Sequence, residues 1–250
     1  MICNTHWTFC VASEPDEQEP QSTSSWRTPA IVIVVIAVVI GALWLIGHAN
    51  PQRRAPVSDD VAGPASGEPV DHYLARARAS LESANGQRWA LISLRQPVST
   101  DHAWALIADP TSAGRDTLLS EAALHVQIPD VQTPSTLMPA SSAAALNAAP
   151  AAAAWKIAAD AGTPSDPPTR ADQVADVVSR RLRQGGDLVI GLVVRADASI
   201  LRRYTAEADV RAVEALPAGA RGGLFAVVPL LPEQTTVVEP LPDTAPVPPA

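Results

Sequence analysis

The sequence predicts a single-pass transmembrane helix followed by an α+β domain, the latter either two duplicated βα-type halves or two ordinary βα units within one domain. Two observations carry this. An unbroken apolar run, AIVIVVIAVVIGALWLIG, occupies residues 30–47. Downstream of it the order helix, turn, buried strand, capped helix, strand occurs twice, about 100 residues apart. The run reaches ~27 Å as a helix, close to the ~30 Å hydrocarbon core of a bilayer. Its twelve Ile, Val and Leu residues favour insertion by roughly 4 to 7 kcal/mol. Trp26 and Trp44 lie near its two ends, where amphipathic rings prefer the headgroup zone. A cleaved signal peptide fits less well, because Glu14, Asp16, Glu17 and Glu19 precede the run against Arg27 alone.

Composition shifts divide the chain into segments. Residues 1–29 read as an acidic, disordered N-terminal tail, 30–47 as the transmembrane helix and 48–69 as a Pro/Ala/Gly linker. The first α+β half is expected over 70–139, an Ala/Pro-rich connector over 140–168, the second half over 169–232 and a Pro-rich tail over 233–250.

In the first half, Val70, Leu74, Ala77, Leu81 and Ala84 share one helix face, and Asn85-Gly86 supplies a stop. Trp89 to Leu94 reads as a buried strand. A helix capped by Ser99, Thr100 or Asp101 follows to about Asp109, and a second strand is expected over Leu124 to Ile128. In the connector, Pro150 is expected at the start of a helix, AAAAWKIAAD. In the second half, Thr169 and Asp172 form an acidic version of the capping box. Val174, Val177, Val178 and Leu182 make the apolar face of that helix, and Gly185-Gly186 ends it. LVIGLVV, residues 188–194, is the most strand-like segment, Asp197 caps a helix through Tyr204, and strands are expected near 210–216 and 224–230.

The balance of 18 basic against 26 acidic residues, net −8, excludes nucleic acid as a partner, since phosphate neutralisation needs a basic surface. Both cysteines, Cys3 and Cys10, precede the apolar run, so the C-terminal part has neither a disulfide framework nor a cysteine nucleophile. If translation starts at Val11 the mature chain has no cysteine. No GxSxG elbow and no GxxxxGK loop is present, and the one lysine, Lys156, has Asp160 four residues on, the spacing of an exposed ion pair. Asp71-His72 and Asp101-His102 are adjacent pairs, which on a helix point about 100° apart. They read as helix-start acids beside exposed histidines. A zinc site would need His72, His102 and His125 to converge from separate elements. No catalytic, metal or cofactor site is assigned. The remaining cluster is basic: Arg180, Arg181, Arg183, Arg202 and Arg203, which either neutralise helix C-termini or form a patch for an anionic partner.

The charge margin, Arg27 before the run against Arg53 and Arg54 after it, favours a cytoplasmic C-terminal part by one residue; the cysteine-free, lysine-poor composition favours an extracytoplasmic one. The reading adopted is a membrane-anchored, extracytoplasmic binding or scaffold module of a bacterial cell envelope, its partners the membrane through one span and a protein or anionic envelope component. The alternatives are a tethered enzyme with a site of scattered residues and a regulatory protein with a cytoplasmic domain.

Overall fold

The computed structural model describes residues 60–108 and 116–249. All of them fall in the second of the two units into which the chain divides, Ala55–Ala250. The 30–47 run, the 1–29 tail and most of the 48–69 linker lie outside the described residues.

The elements are β1 (Val61–Ala62), α1 (Val70–Ser83), β2 (Gln87–Val98), α2 (Thr100–Ala108), β3 (Leu118–His125), β4 (Ser135–Pro139), α3 (Ala143–Ala161), α4 (Arg170–Gln184), β5 (Val189–Asp197), α5 (Ala198–Tyr204), β6 (Val210–Ala215) and β7 (Ala226–Val227). Five strands form one antiparallel sheet in the order β4-β3-β5-β2-β6, and β1 pairs with β7 in parallel.

The expected α+β domain is present, as a five-stranded antiparallel sheet with five helices among the described residues, but the expected transmembrane helix is corrected. Among the described residues no helix is long and apolar enough to cross a membrane. The longest, α3, has 19 residues but carries Asn147, Lys156 and Asp160. The same finding removes the single-pass membrane localisation, with its extracytoplasmic domain, from what the structure supports. The two sequence halves interleave in one sheet. β5, from the second half, lies between β2 and β3 of the first, and β2 lies between β5 and β6. The cause is legible in the strands themselves. Ala90 to Leu94, apolar but for Ser93, and Val189 to Val194 are buried throughout, so each strand needs cover on both faces and takes a central place.

One face of the sheet, with Ala90, Ile92, Leu94, Leu192 and Val194, packs against residues of α2 to α5 such as Ile107, Ala153, Val178 and Leu201. The other face, with Trp89, Leu91 and Val193, is covered by Ala62, Leu216, Phe225 and Val227. A third cluster joins Val70, Tyr73 and Ala77 of α1 to Ala212, Leu230 and Val238. Both sheet edges are managed. Ser80 of α1 accepts the Ala215 N–H of β6 at 2.9 Å. At the other edge β4 has five residues, with Pro134 before it and Pro139 at its end.

Local signals explain most helix ends. The Thr169/Asp172 capping box is present in full, Gly185 ends α4 at φ +77°, and Asp197 accepts the Ser199 N–H at the start of α5. Three expectations are displaced. α3 starts at Ala143, with Pro150 inside it rather than at its head. Proline there removes one hydrogen bond to Leu146, but Leu146, Ala149, Ala153, Ala154 and Ile157 are buried and hold the helix in place. β3 runs over 118–125 instead of 124–128, and Val126, Ile128 and Val131 are buried beyond its end without being strand. The strand expected over 224–230 contracts to Ala226–Val227.

Candidate functional site

The N-terminal end of the described domain meets the segment that follows β6. The Ala226 N–H donates to Asp60 O, Val228 to Ala62, Gly67 to Val238 and Val70 to Thr236, at 2.8 to 3.1 Å. Residues 60–69, expected as linker, are therefore stitched along the segment that follows β6. Between the two segments lies a cleft of about 670 Å³, within the ~300–1,000 Å³ typical of ligand sites. Its walls include Val61, Val228 and Leu231, and its polar groups include Arg76, Gln234 and Glu239. Val61 and Val228 are 50% and 42% exposed; with Leu118 and Trp155 they are the large apolar side chains left open to solvent among the described residues.

Arg76, on the second turn of α1, fixes the floor. It donates to both oxygens of Glu68, at 3.1 and 3.2 Å, to Glu214 Oε1 and to the Gly63 carbonyl at 3.0 Å. The other oxygen of Glu214 accepts the buried Gly63 N–H at 2.6 Å, and Glu68 also accepts the Ala65 N–H at 2.9 Å. Arg76 further lies 5.2 Å from the Tyr73 ring centroid, within cation–π range. One guanidinium and two carboxylates thus tie α1, β6 and the N-terminal segment together.

The two carboxylates respond oppositely. Hydrogen bonding to Arg76 holds Glu68 down to about 2. Burial pushes Glu214 up, and its bonds to Gly63 and Arg76 do not cancel that effect. Burial, then the charge of Glu214, raises the Tyr73 phenol. Tyr73 Oη and Ser93 Oγ are inaccessible, and neither reaches hydrogen-bond geometry with a partner. Every nitrogen of Arg76 is engaged, and the hydroxyls beneath it are sealed from the cleft. The arrangement offers fixed dipoles and apolar walls, the requirements of a binding surface.

The histidines and the lysine are dispersed. His72 Nδ1 pairs with Glu68 at 2.9 Å and His102 Nε2 with Asp209 at 2.8 Å, so neither imidazole uses the aspartate next to it in sequence. His125 is buried in β3, with Nε2 3.1 Å from Glu233 Oε1. Burial pushes Glu233 up, but the hydrogen bond and charge of His125 outweigh it and leave the carboxyl below its ordinary value. Lys156 and Asp160 form the exposed pair anticipated from their spacing, at 2.7 Å. Among the described residues no group of three His, Cys, Asp or Glu side chains is placed to hold a metal ion.

The five arginines singled out in the sequence point to different neighbours. Arg180 pairs with Asp176, and Arg181 donates to the Gln127 carbonyl at 3.2 Å. Arg202 donates to Leu81 O in the last turn of α1 and to Ala84 O just beyond it, at 3.2 and 2.6 Å. Arg183 lines a small pocket beside Asp172 and Asp176, and Arg203 sits one residue on from Arg202 in α5. Sequence reasoning passed over Arg76 and Glu214. The spacing Glu68, His72, Arg76, one helical turn apart each time, was a readable signal; Glu214, 138 residues from Arg76, gave none.

No protein-family model matches the chain, and neither a curated protein nor a solved structure matches it.

Proposed function

We propose that residues 60–249 form a binding module whose ligand is a short apolar peptide segment bearing a basic residue, seated in the cleft between the segment before α1 and the segment after β6. The observation that carries this is the pair of exposed valines, Val61 and Val228, side by side on that cleft above a floor already fixed by Arg76. Apolar surface left open on rigid backbone favours a ligand that covers it. The charge preference follows from the acids. Glu239 lines the cleft, and Glu68 and Glu214 outnumber Arg76 beneath it, so an anionic ligand is repelled.

The test uses the full-length chain and two amidated tetrapeptides of leucine and proline, one carrying arginine and the other glutamate, observed by ligand-detected NMR. The arginine peptide binds and the glutamate peptide binds at least about ten-fold more weakly. Val228→Asn removes the remaining apolar cover, about 1 kcal/mol, and weakens the arginine peptide roughly five-fold. Equal binding of the two peptides, or an unchanged affinity in Val228→Asn, rejects the cleft as the site. Turnover of the peptide that is lost on changing His72, His102, His125 or Lys156 to Gln replaces binding with catalysis.

A further inference from the structure

We propose a second site, for the phosphate group of a small soluble ester, where Arg78, Arg95 and Arg211 converge on one pocket. The pocket, about 310 Å³, lies between α1, the far end of β2, the turn after α5, and β6. Arg78 comes from α1, Arg95 from β2 and Arg211 from β6, so three separate elements each contribute an arginine to its lining. Leu74 and Val213 are among its apolar walls, and no carboxylate lines it.

None of the three forms an ion pair with a described residue. Arg95 Nε donates to Ala208 O at 3.1 Å, and Arg211 donates to Leu231 O at 3.1 Å and Gln234 O at 2.6 Å. Neutral carbonyls orient the guanidinium groups without cancelling their charge. The positive charges also feel one another, for burial and then the charge of Arg95 lower the affinity of Arg211 for its own proton. Like charges gathered in a partly enclosed pocket are costly until an anion arrives, and that cost becomes part of the drive for binding.

The number of forks selects the anion. A phosphomonoester presents three terminal oxygens and two negative charges, and three guanidinium forks can each take one oxygen; a carboxylate has two oxygens for three forks. The apolar walls take the carbon part of the ester, and the volume restricts it to a few atoms. This site is distinct from the cleft, whose acids repel the same ligand, and from the basic residues of α4 and α5.

Calorimetry on the full-length chain with glycerol 3-phosphate, at ionic strength matched with sodium chloride, decides the matter. Saturable binding is expected. Arg78→Gln, which removes a guanidinium with no described partner and so leaves the fold intact, weakens it at least about ten-fold. Arg95→Gln does the same, with the far-ultraviolet spectrum and melting temperature of both variants checked against the parent. Heat indistinguishable from that of the chloride control overturns the proposal, as does equal affinity in Arg78→Gln. Succinate binding as tightly as the phosphate ester overturns the choice of anion.

Discussion

At Gly63 the N-terminal segment lies hard against the Val228 backbone, and changing it to alanine tests the cleft's construction directly. Its φ is +119°, and a Cβ built there would lie 1.7 Å from the Val228 carbonyl oxygen. No side chain can move aside to relieve that contact, because the obstacle is backbone. The cheapest response is for the segment to detach. That sacrifices the hydrogen bonds from Ala226 to Asp60, from Val228 to Ala62 and from Gly63 to Glu214. At about 1 kcal/mol for each of these bonds, with roughly 1 kcal/mol more for the buried carboxylate left short of a donor, the loss is about 4 kcal/mol. For a domain of this size that lowers the melting temperature by roughly 8–16 °C. Gly67 supplies the control. It too has a positive φ, +78°, but nothing lies within 4 Å of an added Cβ. Gly67→Ala therefore bears only the conformational cost, about 1 kcal/mol or roughly 2–4 °C. Calorimetric melts of both variants, with limited proteolysis to see whether the segment before α1 is cut first, distinguish the two. Equal losses in Gly63→Ala and Gly67→Ala would refute the steric argument.

Two further predictions rest on side chains at α1. Glu68 is held down from 4.5 to about 2 by Arg76, so its contribution to stability is present above pH 4.5 and lost as pH falls toward 2. Urea unfolding of Glu68→Gln at about pH 5 and about pH 3 should show a smaller acid loss than the parent; parallel losses would show that the Arg76 pairing does not govern the acid limb. Arg202→Met removes the side-chain donor from the Leu81 and Ala84 carbonyls at the end of α1 and should cost about 1.5 kcal/mol in chemical unfolding, whereas an arginine serving only as exposed charge would cost nothing measurable.

Where the sequence was legible, the information was local. The apolar runs at Ala90 to Leu94, broken only by Ser93, and at Val189 to Val194 announced the central strands, and Thr169 with Asp172 announced the start of α4 because a capping box needs residues only three apart. β4 was not seen, since Ser135 to Pro139 has the composition of a loop and becomes a strand only because β3 offers it a register. The expectation about Pro150 followed the local rule that proline favours a helix's first turn, and tertiary burial of Leu146 and Ala149 overrode it. The candidate sites were less legible still. The five arginines noted in the sequence were conspicuous by proximity along the chain, whereas Arg78, Arg95 and Arg211 are brought together only by the packing of α1 over the β6 edge.

The strand order has a consequence for synthesis on the ribosome. β2 has only β5 and β6 as neighbours, and β3 cannot reach β2 until β5 lies between them. When Val98 is complete, the apolar stretch from Ala90 to Leu94 has no strand to pair with for another 91 residues, until Val189 appears. At ~5–20 residues per second that is roughly 5 to 18 seconds of exposure. During it the nascent chain can form the β3–β4 hairpin and its helices but no continuous sheet. A chain cut short before Val189 would therefore present a sticky, half-dressed intermediate to chaperones and proteases instead of a smaller working domain.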